Sequence, residues 1–216
     1  MMADPRSILA VLIAMLVAYI LGSIPTAVWV GKAFYGKDVR EHGSGNAGAT
    51  NTFRVLGGKA AIPVLLFDVF KGWAPVYFLA PWVIKGESAD PVIFQLLIGA
   101  AALLGHIFPV FARFKGGKGI ATSLGIVLAI HFYAAISCLG IFILVFGITR
   151  FVSLGSMIAA ICFPLFLWII FHEKSSVLLI FSFIFAGLII WTHRANIGRL
   201  LKGNENKIIF GKDESG

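Results

Sequence analysis

The residues best suited to bind an anion lie in a glycine-rich polar segment, 42–57. It reads His-Gly-Ser-Gly-Asn-Ala-Gly-Ala-Thr-Asn-Thr-Phe-Arg-Val-Leu-Gly. Glycine permits left-handed backbone and close approach to a ligand, so several N–H groups can point at one anion. The side chains of Ser44, Asn46 and Asn51 add hydrogen-bond donors, and the guanidinium group of Arg54 adds a positive charge. The segment predicts a phosphate-binding loop, and a flexible polar linker is the alternative.

A second glycine-rich segment combines two lysines with the start of a predicted helix. It reads Phe-Lys-Gly-Gly-Lys-Gly-Ile-Ala-Thr-Ser over 114–123, directly before an apolar run. Backbone amides of Gly116 and Gly117, with the side chains of Lys115 and Lys118 at a helix N-terminus, would form a phosphate site. The alternative is an ordinary basic loop with a glycine turn.

Three common kinds of chemistry do not fit the sequence. The P-loop of NTPases needs G-x-x-x-x-G-K-[ST], but Ala112 stands where the first glycine should be and Gly119 follows Lys118. None of the five histidines is followed five residues later by Asp, so the H-x-x-x-x-D pair of many glycerolipid acyltransferases is absent. Cys138 and Cys162 lie in apolar runs without metal-ligand spacing, and we expect neither a metal nor another cofactor.

Charged and polar residues also interrupt the apolar runs. Asp68 and Lys71 are three residues apart and share a helix face within a predicted span. Charges at membrane depth are costly and usually face a cavity or a partner, so the pair either contributes to a substrate site or forms an ion pair that locks the bundle. Two shorter clusters at the ends of apolar runs contain Ser156, and His193 with Asn196. Together, these clusters suggest one shared pocket.

The elements that must position these residues are transmembrane helices. Of 216 residues, 59% are hydrophobic and only 13% are charged, and the mean hydropathy is +0.93; soluble domains have about 25% charged residues. The sequence predicts an all-α, polytopic membrane bundle of about seven spans. It forms a single domain, 1–216, with 202–216 as a basic and polar tail. The predicted spans are 7–30, 59–84, 91–112, two short spans within 119–149 that turn near 131–134, 154–171 and 177–191; six long spans are the alternative.

The distribution of Lys and Arg predicts the orientation. With seven spans, fourteen of these residues lie on the side of the two glycine-rich segments, and three lie on the other side. The positive-inside rule then places the C-terminus in the cytoplasm and the N-terminus outside, with Gly117 inside and Ser88 outside. The net charge of +8 indicates attraction to anionic membrane lipid, and we expect no nucleic-acid binding.

The motifs resemble those of a known family. Segments 43–57, 68–72 and 114–122 are similar to the bacterial acyl-phosphate:glycerol-3-phosphate acyltransferases, the PlsY family. His106 with Pro109, and the polar clusters that contain Ser156, His193 and Asn196, fit the family as well. The resemblance covers nearly the whole chain, from the first span to about Gly203.

The resemblance implies an enzyme of phospholipid biosynthesis in the bacterial inner membrane, with its site facing the cytoplasm. It would transfer a fatty acyl group from acyl phosphate to the 1-hydroxyl of sn-glycerol 3-phosphate, giving lysophosphatidic acid and inorganic phosphate. It would need no metal, and it would be linked functionally to the soluble enzyme that makes acyl phosphate. The implied catalytic residues are Ser44, Arg54, Lys118, Ser156, His193 and Asn196. The expected substrate-binding residues are Asn46, Asn51, Lys115, Gly116, Gly117, Asp68 and Lys71.

Two other functions compete with this interpretation. A transporter of a small phosphate ester or anion would also suit intramembrane Asp68 and Lys71 with glycine-rich breaks. Against a transporter, the sequence has no sign of an internal repeat, and the polar motifs gather on one side. A structural membrane scaffold would explain none of the detail in the glycine-rich segments.

Overall fold

The computed structural model describes residues 5–83 and 91–208, and every regular element in these ranges is a helix. This confirms the predicted all-α class. Short 3₁₀ turns occur at Val39–Glu41 and Val110–Ala112, and a π-helical turn, Phe166–Ile170, ends α8. Ser88, which we expect outside the cell, lies outside the described residues. The helices are α1 (Pro5–Gly22), α2 (Thr26–Tyr35), α3 (Ala49–Leu56), α4 (Gly58–Val83), α5 (Pro91–Ile107), α6 (Ile120–Ile130), α7 (Phe132–Thr149), α8 (Val152–Leu165), α9 (Ser176–Thr192) and α10 (Arg194–Leu201).

Five helical segments are long and apolar enough to cross a membrane, and a bent pair adds a sixth. The bent pair is α9 with α10, which meet at 60°. Helix α6 is apolar but has only 11 residues, short of the roughly 20 that a straight span needs. Each of the seven predicted segments therefore contains a helix, while the number of seven spans and the orientation stay predictions. The five long segments are Ile8–Tyr35, Gly58–Val83, Pro91–Ala112, Phe132–Thr149 and Val152–Ile170.

The long apolar stretch 119–149 is divided at His131, within the expected turn. The His131 N–H donates to the Val127 carbonyl at 2.7 Å and ends α6, while its Nδ1 accepts from the Ala134 N–H at 3.1 Å and begins α7. Lys118, just before α6, reaches α10, and the Arg150 carbonyl, just after α7, accepts from Ile208 N–H at 3.1 Å. Both outer ends thus lie beside the C-terminal segment, so α6 and α7 form an antiparallel hairpin.

Pairs of glycines bring the central helices into close contact. A Cβ atom on Gly72 of α4 would collide with the Thr122 carbonyl of α6, and one on Gly125 of α6 would collide with the Val69 carbonyl of α4. Gly22 and Gly105 allow the same close backbone contact between α1 and α5. Small residues allow this approach in membranes, where helices gain packing contacts rather than hydrophobic burial. The bundle therefore exposes its large apolar side chains outward, toward lipid.

The intramembrane charges form an ion pair at a break in the first span. Lys71 Nζ lies 2.7 Å from Asp68 Oδ1 and donates to the Ile24 carbonyl at 2.8 Å. Thr26 Oγ1 also donates to Asp68 Oδ1, at 3.2 Å. Ile24 lies in the turn between α1 and α2, before Pro25. The pair thus joins α4 to this turn, which is the locking arrangement that the sequence left as one of two alternatives.

Single cysteines at exposed positions test the orientation. Gly117 is unsuitable because a Cβ there would meet the His106 ring. We therefore choose Lys37→Cys and Lys174→Cys, both exposed, in a background without Cys138 and Cys162. A membrane-impermeant maleimide added to intact cells should label position 174 and spare position 37, because the charge bias places 37 inside. Broken membranes, as the control, should label both; the reverse pattern on intact cells would invert the topology.

Candidate active site

A cavity of about 450 Å³ opens among α3, α4 and the four helices α6 to α9. One end is polar, and the rest is lined by apolar side chains. Five of the six predicted catalytic residues border the polar end: Arg54, Lys118, Ser156, His193 and Asn196. Asn46 and Asp68 also border the cavity. The other predicted site residues do not: Ser44, Asn51, Lys71, Lys115, Gly116 and Gly117.

The first glycine-rich segment is held in shape by a single buried amide. Asn51 Oδ1 accepts from the backbone N–H and the hydroxyl of Ser44, at 2.7 and 3.1 Å. Asn51 Nδ2 donates to the carbonyls of Val39 and His42, at 2.7 and 3.1 Å. Gly43 has a φ of 61° and packs against the same amide. Because the Asn51 side chain makes its hydrogen bonds inside the loop, its geometry favours a role in positioning the loop rather than in contacting a substrate.

Arg54 projects from α3 into the polar end of the cavity. Its Nη2 donates to the Asn206 carbonyl at 3.1 Å, which ties α3 to the C-terminal segment. Burial lowers the pKa of the Arg54 guanidinium, which still stays charged because arginine starts so high. Within the described part of the chain, the buried Nε of Arg54 has no hydrogen-bond partner. A buried donor without a partner is costly, so this N–H is available to an anion.

The second glycine-rich segment packs on the end of α5. The Gly117 N–H donates to the His106 carbonyl at 3.2 Å, and Cβ atoms on Gly116 or Gly117 would meet His106. These glycines therefore permit close packing that presents Lys118. The amide of Gly117 is not free for a ligand, which differs from our expectation. The first turn of α6, from Gly119 to Ala121, borders the cavity instead, and its N-terminus favours anions.

A buried carboxylate, which no sequence motif predicts, organises the polar end. Glu205 Oε1 accepts from Asn196 Nδ2 at 2.6 Å and from Ser153 Oγ at 2.7 Å, and Oε2 accepts from Arg199 Nε at 2.7 Å. Asn196 in turn accepts from Lys118 Nζ. Burial alone would raise the pKa of Glu205, but these hydrogen bonds outweigh it and hold the pKa below its usual value. Glu205 thus remains a carboxylate.

The ammonium group of Lys118 is more acidic than that of an ordinary lysine. Burial lowers the pKa of its ammonium group to about 8; Glu205 opposes this shift, and the positive charges of Arg199 and Arg54 add to it. Lys118 is thus mainly protonated at neutral pH. The polar end is bordered by the cations Arg54 and Lys118, and the one carboxylate there, Glu205, is paired with Arg199, so the end is suited to an added anion.

His193 and Ser156 present lone pairs to the cavity. His193 Nδ1 lies 2.8 Å from the Ile189 carbonyl. A carbonyl can only accept, so Nδ1 carries the proton, and Nε2 of the neutral ring is an acceptor. The Ser156 hydroxyl donates to the Val152 carbonyl at 2.8 Å. In this arrangement the donor groups of both side chains are taken up by backbone carbonyls, and both side chains can accept a hydrogen bond from a substrate hydroxyl.

The fold also brings together a histidine and a carboxylate that are distant in sequence. His106 Nδ1 lies 3.8 Å from Asp68 Oδ1, and both residues border the cavity. That separation is too long for a hydrogen bond. The other side of the His106 ring faces Gly117. His106 is therefore placed to support the second glycine-rich segment.

The chain matches a known family over most of its length. Residues 12–203 match the sequence model described as glycerol-3-phosphate acyltransferase. The chain belongs to the glycerol-3-phosphate acyltransferase family. A family member from Chlorobaculum parvum is 42% identical over 221 residues, covering 91% of this chain and 95% of the relative. One from Fusobacterium nucleatum is 45% identical over 192 residues, covering 89% and 95%.

Solved structures of the family have the same fold. The crystal structure of PlsY (YgiH), an integral membrane glycerol 3-phosphate acyltransferase in its glycerol 3-phosphate form, is similar with a TM-score of 0.80 and 38% identity. The match covers 92% of this chain and 96% of that one. The lysophosphatidic acid form of PlsY has a TM-score of 0.77 and 37% identity. This chain is thus an integral membrane acyltransferase of the family.

The lowered pKa of Lys118 predicts an alkaline limit on activity. As the pH rises through about 8, Lys118 loses its proton and the cavity loses a cation, so kcat/KM should fall. Lys118→Arg keeps its charge throughout this range and should lack the fall, even if its absolute rate is lower. The measurement is kcat/KM against pH for both proteins. A fall at the same pH in Lys118→Arg would assign the titration to another group.

Proposed function

We propose that this protein transfers a fatty acyl group from acyl phosphate to the 1-hydroxyl of sn-glycerol 3-phosphate. The products would be lysophosphatidic acid and inorganic phosphate. One observation carries the proposal: a single cavity joins a cationic end, with Arg54 and Lys118, to an apolar groove between α6, α7, α8 and α9. An acyl phosphate has two matching parts, an anionic phosphate for the cationic end and a hydrocarbon chain for the apolar groove. Family membership, and the glycerol 3-phosphate and lysophosphatidic acid forms of PlsY, support the acceptor and the product.

Acyl phosphate, as the source of the acyl group, suits the hydrogen-bond donors and acceptors of the site. Both proposed substrates carry phosphate, which accounts for several cations around one cavity. An acyl phosphate is already activated, so attack on its carbonyl needs little help from a strong base. His106 is turned toward Gly117, and among the residues that the structure describes no carboxylate forms a hydrogen bond with His193. A reaction that draws little on a protein base is consistent with this site.

The proposed step exchanges one carbon–oxygen bond for another. The 1-hydroxyl oxygen of glycerol 3-phosphate attacks the acyl carbonyl carbon, and the bond from that carbon to the phosphate oxygen breaks. The hydroxyl proton passes to an oxygen of the departing phosphate. Arg54 and Lys118 hold phosphate groups and stabilise the developing negative charge. His193 Nε2 accepts a hydrogen bond from the hydroxyl and orients it.

We further propose that the site faces the cytoplasm of a bacterial inner membrane. The bias of Lys and Arg toward the glycine-rich side supports this. From that side, water-soluble glycerol 3-phosphate enters the polar end, and the acyl donor enters from the bilayer. Acyl phosphate would come from a soluble enzyme acting at the membrane surface.

The donor is tested with purified protein in detergent. With glycerol 3-phosphate present, palmitoyl phosphate should give lysophosphatidic acid, and palmitoyl-CoA should give little, because the cationic end accommodates a phosphate leaving group. Product formed without a second compartment also distinguishes an enzyme from a transporter. The reaction should persist in a chelator. Comparable rates from palmitoyl-CoA, or complete loss in chelator, would contradict the proposal.

Site-directed variants test the electrostatic mechanism. Lys118→Ala and Arg54→Ala should lose about 10²–10³ in rate, the usual cost of removing a preorganised donor. His193→Ala should be slower than His42→Ala, an exposed control that does not border the cavity, yet keep measurable turnover. The readouts are kcat/KM and glycerol 3-phosphate binding. A folded His193→Ala that binds normally, is as inactive as Lys118→Ala and is rescued by imidazole would identify His193 as the general base.

A further inference from the structure

We propose that Phe163 and Phe185 close the deep end of the apolar groove and set the longest acyl chain that the enzyme uses efficiently. The proposal rests on the acyl transfer proposed above, and it names the residues that select among acyl donors.

One face of each surrounding helix lines the groove. On α8 the lining residues Ser156, Ala159, Ala160 and Phe163 recur at helical spacing and lead away from the polar end. The matching face of α9 leads from His193 back to Phe185. Below Ser156 on α8 and His193 on α9, these two faces are apolar and offer burial to a hydrocarbon chain.

The lining stops part-way along each of the four helices. Its last members are Val127 on α6, Ala135 on α7, Phe163 on α8 and Phe185 on α9. The next turn of the α8 face holds Leu167, which is completely buried in the core and does not border the cavity. Among the described residues, none deeper along these helices borders it. The groove is therefore blind.

Two aromatic rings form the blind end. The ring centroids of Phe163 and Phe185 are 6.3 Å apart, with planes at 68°, and Phe181 stacks on Phe185 from behind at 5.9 Å. Both floor residues are more than nine-tenths buried. Because both rings are buried and packed on one another, a longer chain could displace this floor only by breaking these contacts.

The depth of the groove matches one leaflet of a membrane. From Ser153 to Phe163 the α8 face rises about 15 Å, half of the roughly 30 Å hydrocarbon core. A chain that exceeds this depth cannot be buried along its whole length in the groove. Longer donors therefore gain no further transition-state binding from the groove and must strain to fit above its floor.

The test compares acyl phosphates of increasing length. We measure kcat/KM for lauroyl, palmitoyl and stearoyl phosphate and take the stearoyl-to-lauroyl ratio. Phe185→Ala opens the floor and should raise this ratio about tenfold, since a methylene group in an apolar pocket is worth roughly 10–200-fold. Ala160→Leu, one turn above Phe163, shortens the groove and should lower the ratio by a similar factor. Phe183→Ala and Ile161→Ala, on the exposed faces of the same helices, should leave it unchanged.

The Ala160→Leu variant decides the outcome even if Phe185→Ala fails to fold. An unchanged ratio in Ala160→Leu would show that the chain does not follow this groove, and the proposal would be wrong. Equal shifts in the exposed controls would also overturn it. If the wild-type protein uses none of the three acyl phosphates, the donor proposal fails separately. The stearoyl-to-lauroyl ratio of kcat/KM, measured with whichever class of acyl donor the protein does use, would then still test the role of Phe163 and Phe185.

Discussion

The carboxylate of Glu205 holds together parts of the chain that the bundle alone would leave apart. It accepts hydrogen bonds from Ser153 at the start of α8, and from Asn196 and Arg199 on α10. Through Asn196 it also reaches Lys118. A buried ion is tolerated only when its remaining hydrogen-bonding positions are satisfied, and these donors do so. The polar end of the cavity keeps its cations at fixed positions because this one anion collects them.

The rest of the bundle is built to bring charge and hydrocarbon to the same place. Helix α6 is short and starts deep, because the glycines before it pack on His106 at the end of α5. Lys118 is thereby recessed at the head of an apolar groove. Asp68 and Lys71 pair with each other and bind the turn between α1 and α2, so their charges cancel within the bundle. The site's net positive charge thus stays at one end.

Much of the fold followed from composition and local pattern. Hydropathy placed a helix in every predicted span, and the division of 119–149 was confirmed at His131, because turn and span lengths are local constraints. The short α6 could not be counted as a span by the same rule, since the glycine loop that shortens it depends on contact with α5. The count of seven therefore goes beyond what helix length supports.

The site was predicted in part, for a physical reason. Arg54 and Lys118 are charged residues in glycine-rich segments, and residue type alone indicates an anion site. Glu205 lies in a polar tail with no motif, and its role appears only when that tail folds back against α8 and α10. Asn51 was expected to touch a substrate, but its carbonyl and amide groups are taken up by its own loop. Sequence shows which groups are available, whereas long-range contacts decide how each is used.

The position of Glu205 also orders events during synthesis of the chain. Every helix that the structure describes precedes it in sequence, so this carboxylate leaves the ribosome after them. Until then, Asn196, Ser153 and Arg199 lack their common acceptor, and the Arg54 guanidinium lacks the Asn206 carbonyl. A chain that stops before Glu205 would therefore lack the anion to which Ser153, Asn196 and Arg199 donate.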